Sequence, residues 1–296
     1  MAYRLHADKP LSRSVRRIAT AELDHALLLL RDQPEGEAHA IHKSRRALKK
    51  TRGLYRLIAP AAPFFQREEN ARLREIARGL SATRDSAVLI ETAARLEADS
   101  TGEHSAAAAR AGDALKARHA ALAGSAEAVD LPATLAALEE AREAASRFVM
   151  TTAGAPHALL AKAWHKSIIR AQAALKRCRE APEADAFHDL RKRAQDWRFF
   201  HLLLRDAWPG PLNAREGRLK ALSEDLGAVN DLAVLHEVIG HDTQLLSEHD
   251  RPLLLAALAE TLKARREKVL VKAEALYEID AEIDRRRIKR LWKDAG

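Results

Sequence analysis

The sequence has little of what β-sheet proteins and secreted domains need. Its 296 residues include one cysteine, 12 glycines and 10 prolines, and aromatic residues make up only 4%. Sheets are rich in aromatic and β-branched residues and need frequent turns, so an all-β fold is excluded. The low aromatic content also argues against a protein that stacks bases on side-chain rings.

Long apolar runs are missing as well. The longest, Leu27–Leu30 and Leu253–Leu258, are far shorter than the ~20 residues that cross a bilayer. The N-terminus has no apolar stretch of the kind found in signal peptides. Cys178 has no second cysteine to pair with, which is typical of a reducing compartment. We therefore expect a soluble cytoplasmic protein that does not contact membranes.

Strong helix formers and charged residues dominate instead. Ala, Leu, Arg, Glu and Lys recur with helical period along nearly the whole chain, which predicts an all-α fold. Lys and Arg number 50 against 42 Asp and Glu, a net charge of +8. This excess suggests an anionic partner without naming one.

The chain contains an internal repeat with an offset of 146 residues. At this offset Ile41–Thr92 aligns without a gap to Phe187–Val238, and 15 of 52 positions are identical, among them a His, three Arg, a Pro and an Asp. Such self-similarity predicts two copies of one helical unit. We expect two pseudo-symmetric four-helix bundles, residues 1–153 and 154–296. In each unit we expect the third helix to be continuous, and in the first unit this helix should end near residue 100.

A basic stripe follows the second helix of the first unit, over about residues 35–59. Between Lys43 and Arg56 there are seven cations and no acid. Each like-charge i,i+4 pair costs up to ~0.5 kcal/mol, which a bound anion would offset. A solvated charged face is the alternative interpretation. The residues within an arc of roughly 120° are His42, Arg45, Arg46, Lys49, Arg52 and Arg56.

The second unit repeats the stripe in a weaker form, and the third helices add to it. Gln195 and Leu202 stand where the first unit has Lys49 and Arg56. We expect Asp85 and its equivalent Asp231 each to pair with a neighbouring cation. The further candidate anion ligands are His188, Arg191, Lys192 and Arg198 on the second unit's stripe, with Arg74, Arg78 and Lys220 on the third helices.

These residues carry a resemblance to a known family. The segments His42–Arg52 and His188–Arg198 resemble the paired His-x-x-Arg-(Arg/Lys)-x-x-(Lys)-x-x-Arg signatures of the conserved-histidine α-helical domain (CHAD) family. Leu80–Asp85 and Leu226–Asp231 resemble its Leu-Gly-x-x-Arg-Asp element, with Ser81 in place of Gly and Asn230 in place of Arg. The resemblance covers essentially the whole chain.

The resemblance implies two four-helix bundles and a basic surface or channel that binds inorganic polyphosphate, with association to polyphosphate granules in bacteria. By match to the motif, the implied ligand contacts are His42, Arg45, Arg46, Lys49, Arg52, His188, Arg191, Lys192 and Arg198. Because of the replacements in the second unit, including Gln195, we expect that unit to hold the ligand more weakly.

Other functions are less consistent with the sequence. A nucleic-acid backbone is the alternative polyanion, but no helix-turn-helix or zinc-finger pattern is present, so we expect it to be a weaker competitor. We expect no metal and no cofactor, since arginines around the histidines would repel a dication. The chain lacks a Gly-rich phosphate loop, a nucleophile elbow and paired carboxylates, so we expect no enzyme. Oligomeric state stays open.

Overall fold

The computed structural model describes residues 3–80, 84–122 and 129–296, with the side chains of residues 84, 85 and 122 outside the description. All regular structure in the described part is helical, which confirms the predicted all-α class. The α-helices are α1 (Leu11–Asp32), α2 (Glu37–Leu57), α3 (Pro63–Gly79), α4 (Arg84–Asp99), α5 (Gly102–Leu122), α6 (Leu131–Ser146), α7 (Pro156–Glu180), α8 (Ala184–Leu204), α9 (Pro209–His241), α10 (Asp250–Tyr277) and α11 (Ala281–Asp294).

The helices begin where the sequence supplies starting signals. Pro63, Pro156 and Pro209 each occupy the first turn of a helix, where the missing N–H has no intrahelical partner to lose. The side chains of Asp130 and Asp280 accept hydrogen bonds from backbone N–H groups at the starts of α6 and α11. Pro63 and Pro209 are equivalent at the repeat offset, so α3 and α9 begin at the same place in both halves.

The third helix differs between the halves, and the expectation of one continuous helix is wrong for the first. There, α3 ends at Gly79 and α4 begins at Arg84, whereas α9 runs without interruption from Pro209 to His241. Glycine weakens a helix by about 1 kcal/mol relative to alanine, and Gly79 stands where α9 has Asp225. The intervening residues 81–83 lie outside the described part.

The helices pack in three groups. In the first half, α1 and α3 each pack against both α2 and α6, which closes a four-helix bundle. In the second half, α7 packs against α8 and α11, while α8 packs against α9. The hairpin of α4 and α5 lies against α9 and α10, so this third group takes two helices from each half.

Ion pairs hold the α4–α5 hairpin onto the second half. They are Arg95–Asp231 (3.8 Å), Arg265–Asp99 (2.7 Å), Arg118–Asp242 (2.7 Å) and a bidentate Arg110–Asp250 pair. The repeat boundary after residue 153 falls in the segment between α6 and α7. Contacts cross it extensively, and the pseudo-two-fold relation between the halves stays a prediction.

Candidate functional site

Two arginines of the α2 stripe are fixed by neutral groups of α3. Arg52 Nε donates to the Asn70 side-chain oxygen at 3.0 Å, and Arg45 Nη1 donates to the Ala77 carbonyl oxygen at 2.5 Å. Neither acceptor carries a formal charge. The guanidinium groups are therefore oriented toward α3 while their positive charge is not cancelled by these partners.

Arg52 shows that the cations of the stripe are crowded. Its pKa is lowered to about 10, first by burial and then by repulsion from Arg56 and Arg74. Asp196 acts in the opposite direction but does not outweigh them. An anion placed among these guanidinium groups would relieve both the repulsion and part of the desolvation cost.

Three of the predicted ligands are exposed and available. Arg46, Arg74 and Lys192 form no hydrogen bond or ion pair with another described residue. Arg46 and Lys192 are equivalent at the repeat offset, on α2 and α8 respectively. Arg74 lies on α3 between Asn70 and Ala77, the two residues that hold Arg52 and Arg45. It therefore lies beside the α2 stripe.

The corresponding arginine of the second half has an acidic partner. Arg198, the equivalent of Arg52, donates from Nε to the Glu216 carboxylate at 2.6 Å, and Glu216 is the equivalent of Asn70. Lys220, the equivalent of Arg74, lies 3.9 Å from Glu224. The repeat therefore conserves the positions of these cations, but the second half offsets more of their charge.

Two further predicted ligands are ion-paired in the first half. Arg56 Nη1 lies 2.5 Å from the carboxylate of Asp196, a buried residue of α8. Arg78 pairs with Glu75 one turn earlier on α3, and its side chain is 78% exposed. Arg56 thus joins α2 to α8, while Arg78 forms a solvent-exposed pair of small energetic value.

His188 is oriented by Asn230 on α9. Its Nδ1 donates to the Asn230 side-chain oxygen at 2.9 Å, which leaves Nε2 as the position that takes up a proton. Burial lowers the pKa of His188 below its usual value, and repulsion from Lys192 and Arg191 lowers it further. Burial and the neighbouring cations therefore both disfavour the imidazolium form of His188 when no anion is bound.

Arg191 packs closely over Gly227. A Cβ built on Gly227 would lie 3.3 Å from Arg191 Nη2, so even an alanine would crowd the guanidinium. Gly227 is the glycine of the motif element Leu226–Asp231. Its function here is to let Arg191 approach the α9 backbone.

The remaining predicted residues are placed as follows. His42 is exposed and Lys49 is half-buried, both on α2. Asp231 pairs with Arg95 of α4, which confirms the predicted structural pairing for that residue. The side chain of its counterpart Asp85 lies outside the described part.

The two stripe-bearing helices meet at equivalent positions. Gly53 of α2 faces Phe199 of α8, its counterpart at the repeat offset, and a Cβ at Gly53 would lie 2.7 Å from the Phe199 ring. Arg56 follows Gly53 on α2, whereas its ion-pair partner Asp196 precedes Phe199 on α8. The two helices therefore run in opposite directions where they cross.

Several supporting residues were not predicted from the sequence. Asn70, Glu216 and Asp196 decide how far the arginine charges are offset, and each acts from a different helix than its arginine. The repeat alignment does show Asn70 and Glu216 at equivalent positions. This exchange is the one sequence signal that could have revealed the different charge balance of the two halves. Asn230 was noted only as a departure from the motif.

Within residues 3–80, 84–122 and 129–296, no group of three or more His, Cys, Asp or Glu side chains is arranged to hold a metal ion. Over the same residues, no helix combines the length and apolar character needed to traverse a bilayer.

Comparison with known proteins identifies the family. The structure is similar to the crystal structure of the CHAD domain from the plant Ricinus communis, with a TM-score of 0.55 and 21% identity over 97% of this chain and 94% of that one. It is also similar to PptA from Streptomyces chartreusis, with a TM-score of 0.61 and 16% identity over 92% of this chain and 100% of that one.

At these identities the two likenesses concern the fold. No curated protein matches the sequence. The family model described as "CHAD domain" matches residues 15–240, which is most of the chain. The fold, the doubled motif and this match together establish that the chain belongs to the CHAD family.

Proposed function

We propose that this protein binds inorganic polyphosphate without catalysis, through a basic trough formed by the α2 and α8 stripes and the adjacent cations of α3 and α9. The observation that carries the proposal is the state of Arg52. Its guanidinium is half-buried, has a neutral partner and is repelled by Arg56 and Arg74, and the carboxylate of Asp196 does not outweigh these effects.

The antiparallel crossing of α2 and α8 supports a shared trough. At 100° per residue, Arg45 and Arg52 lie about 80–100° to one side of Gly53, and Arg191 and Arg198 lie at the same angles from Phe199. When two antiparallel helices meet at equivalent residues, side chains at the same angle from the contact point lie on the same side of the helix pair. The arginines of the two stripes therefore face the same side. A single extended polyanion could then contact both stripes.

Binding in such a trough is mainly Coulombic. A phosphate chain that contacts several cations releases condensed counterions, so the affinity falls steeply with salt. Guanidinium groups such as Arg46 and Arg74 offer forked donors that match phosphate oxygens, whereas Lys192 supplies a point charge. Because Glu216 offsets Arg198, the first half contributes more of the affinity.

A nucleic acid is the competing partner, and competition distinguishes the two. Fluorescent long-chain polyphosphate is bound to the protein and titrated with short double-stranded DNA or with unlabelled polyphosphate at matched charge. We expect DNA to displace the label poorly, because a rigid duplex cannot lay one flexible phosphate chain along both stripes. Equal displacement by both polymers would contradict the proposal in favour of nucleic-acid binding.

Recruitment to polyphosphate granules follows from the same chemistry. A granule presents many phosphate chains, so one non-catalytic binding trough suffices to hold the protein there. The protein would then be a granule-associated binding protein of the cytoplasm.

A further inference from the structure

A second group of arginines lines a concavity between α7 and α8. Arg170 and Arg177 of α7 and Arg193 of α8 surround a volume of about 290 Å³, together with Ala173, Ala174 and Asp189. Arg193 is two residues from Arg191 on α8, so it points about 160° away from the stripe. The concavity is therefore separate from the proposed trough.

The spacing along α7 leaves room for a small ligand. Arg170 and Arg177 are two turns apart, or about 10 Å along the helix axis. The residues between them on that face, Ala173 and Ala174, carry only methyl groups. The floor of the concavity is thus shallow and neutral, with guanidinium groups around it.

A single carboxylate of the lining serves two of the three guanidinium groups. Asp189 accepts a hydrogen bond from Arg193 at 2.7 Å and lies 3.6 Å from Arg177. Asp196 lies 3.9 Å from Arg193 but is already paired with Arg56. Arg170 forms no hydrogen bond or ion pair with another described residue. The lining thus carries more positive than negative charge.

The first half does not contain this cluster. At the repeat offset, Asp24 stands in place of Arg170 and pairs with Arg142 of α6. Arg31 is the counterpart of Arg177, and it pairs with Glu139 of α6. Each charge on this face of α1 is therefore balanced by the helix packed beside it.

In the second half the balancing residues are absent from α11, the counterpart of α6. Ile288 stands where α6 has Arg142, and Arg285 stands where α6 has Glu139. Arg285 is itself bound to Glu282 on its own helix. The face has thus exchanged a neutralising carboxylate for a cation, so α11 neutralises neither Arg170 nor Arg177.

We propose that the Arg170–Arg177–Arg193 cluster binds a compact phosphate anion, either inorganic phosphate or pyrophosphate. Forked N–H donors from two or three arginines match the oxygens of one phosphoryl group. Asp189 holds Arg177 and Arg193 in place, and Arg170 supplies the third positive charge around the ligand. The proposal does not depend on polyphosphate binding in the trough.

Arginine footprinting tests the site residue by residue. The protein is treated with phenylglyoxal in the presence of inorganic phosphate, pyrophosphate or long-chain polyphosphate, and modification of each arginine is followed by peptide mass spectrometry. A bound ligand slows modification by the factor 1 + [L]/Kd, so pyrophosphate at four times its Kd slows Arg170 and Arg177 about fivefold. Arg286 and Arg290, exposed on α11, react at unchanged rates.

The same experiment separates this site from the trough, because Arg46 and Arg74 report on the latter. Protection of Arg46 and Arg74 by polyphosphate, with none of Arg170 and Arg177 by phosphate or pyrophosphate, would overturn the second site and leave the proposed function intact. Protection of Arg170 and Arg177 by long-chain polyphosphate alone would also overturn it, since the ligand would not be a compact phosphate anion.

Two variants with the same change of charge on α7 sharpen the test. Arg170→Glu places a carboxylate in the concavity, so pyrophosphate no longer protects Arg177. Lys162→Glu lies two turns earlier on an exposed position and leaves the protection of Arg177 as in the wild type. Equal protection of Arg177 in both variants would contradict the assignment.

Discussion

At the scale of single residues, the partner of each arginine decides whether its charge is available. Arg52 and Arg198 are equivalent, yet the first is bound by the amide of Asn70 and the second by the carboxylate of Glu216. Composition and helical periodicity predict both cations equally well. The difference arises from residues on the neighbouring helix, so only the packed structure reveals that the two halves differ in available charge.

Exchanging these partners is expected to move polyphosphate affinity in opposite directions. Asn70→Glu adds a carboxylate beside Arg52 and weakens binding about threefold to fivefold, since a partly exposed ion pair is worth up to about 1 kcal/mol. Glu216→Asn frees Arg198 and strengthens binding by a similar factor. Isothermal titration measures both.

The controls for this exchange carry the same changes of charge at exposed sites of the α9–α10 loop. They are Gln244→Glu and Glu248→Gln, and neither is expected to change the affinity by more than the long-range effect of one charge. Affinities that move in the same direction for Asn70→Glu and Glu216→Asn would contradict the interpretation.

The histidines predict a pH dependence. The pKa of free His188 lies below its ordinary value of about 6.5, so the ring is neutral at pH 7 and gains a proton only in more acidic solution. A bound phosphate favours the charged ring and raises this pKa, so affinity increases as the pH falls from 7 toward 5.

Titrations at pH 7.5, 6.5 and 5.5 check this prediction. A rise of one pKa unit on binding corresponds to at most about a tenfold gain per histidine. The His188→Gln variant should lose the increase in affinity at pH 5.5, while its side chain can still form a hydrogen bond with Asn230. An affinity that stays constant over this range in the wild type would show that the histidines do not contact the ligand.

At the scale of helices, most of the architecture could be predicted because it depends on local signals. Pro63 and Pro209 set the starts of α3 and α9, and the angles of the stripe follow from the helical repeat. The division of the third helix at Gly79 and the packing of α4 and α5 on the second half were not predicted, since the choice of helix neighbours depends on the three-dimensional arrangement.

The crossing of α2 and α8 predicts a sensitive position at Gly53. An alanine there would bring a methyl group to 2.7 Å from the Phe199 ring, which forces the helices apart. Overpacking of this kind costs roughly 1–3 kcal/mol, and urea denaturation of Gly53→Ala measures it. Because the stripes are fixed by this crossing, polyphosphate affinity decreases as well.

Gly217→Ala is the matched control for Gly53→Ala. Gly217 lies within α9 on an exposed position with no atom within 4 Å of an added Cβ. Alanine is the better helix former, so this variant gains about 0.5–1 kcal/mol and binds as the wild type does. A Gly53→Ala protein as stable as the wild type would mean that the helices are not as close as described.

At the scale of the whole molecule, the two halves are joined in two places. The Gly53–Phe199 crossing and the Arg56–Asp196 pair fix α2 against α8, and four ion pairs fix the α4–α5 hairpin against α9 and α10. The angle between the stripes is therefore set by packed elements rather than by a linker. Such a preorganised site loses little entropy on binding an extended chain.

The function depends on features that the sequence predicts only in part. The doubled motif predicts which residues carry charge, and the structure shows that Arg45 and Arg191 also have close contacts with the α3 and α9 backbones. Variants of these two residues would therefore mix loss of charge with loss of packing. Arg46 and Lys192 are equivalent, exposed and without such contacts, which makes them the cleaner choice.

The most direct test is a polyphosphate titration of the Arg46→Glu/Lys192→Glu variant at two salt concentrations. The control is Lys162→Glu/Lys293→Glu, which carries the same change of net charge on exposed positions of α7 and α11. We expect the first variant to bind at least about 100-fold more weakly, with a salt slope smaller by about 1.4 for two lost contacts, and the control to bind nearly as the wild type does. Equal affinities and slopes for the two variants would contradict a phosphate chain bound between α2 and α8.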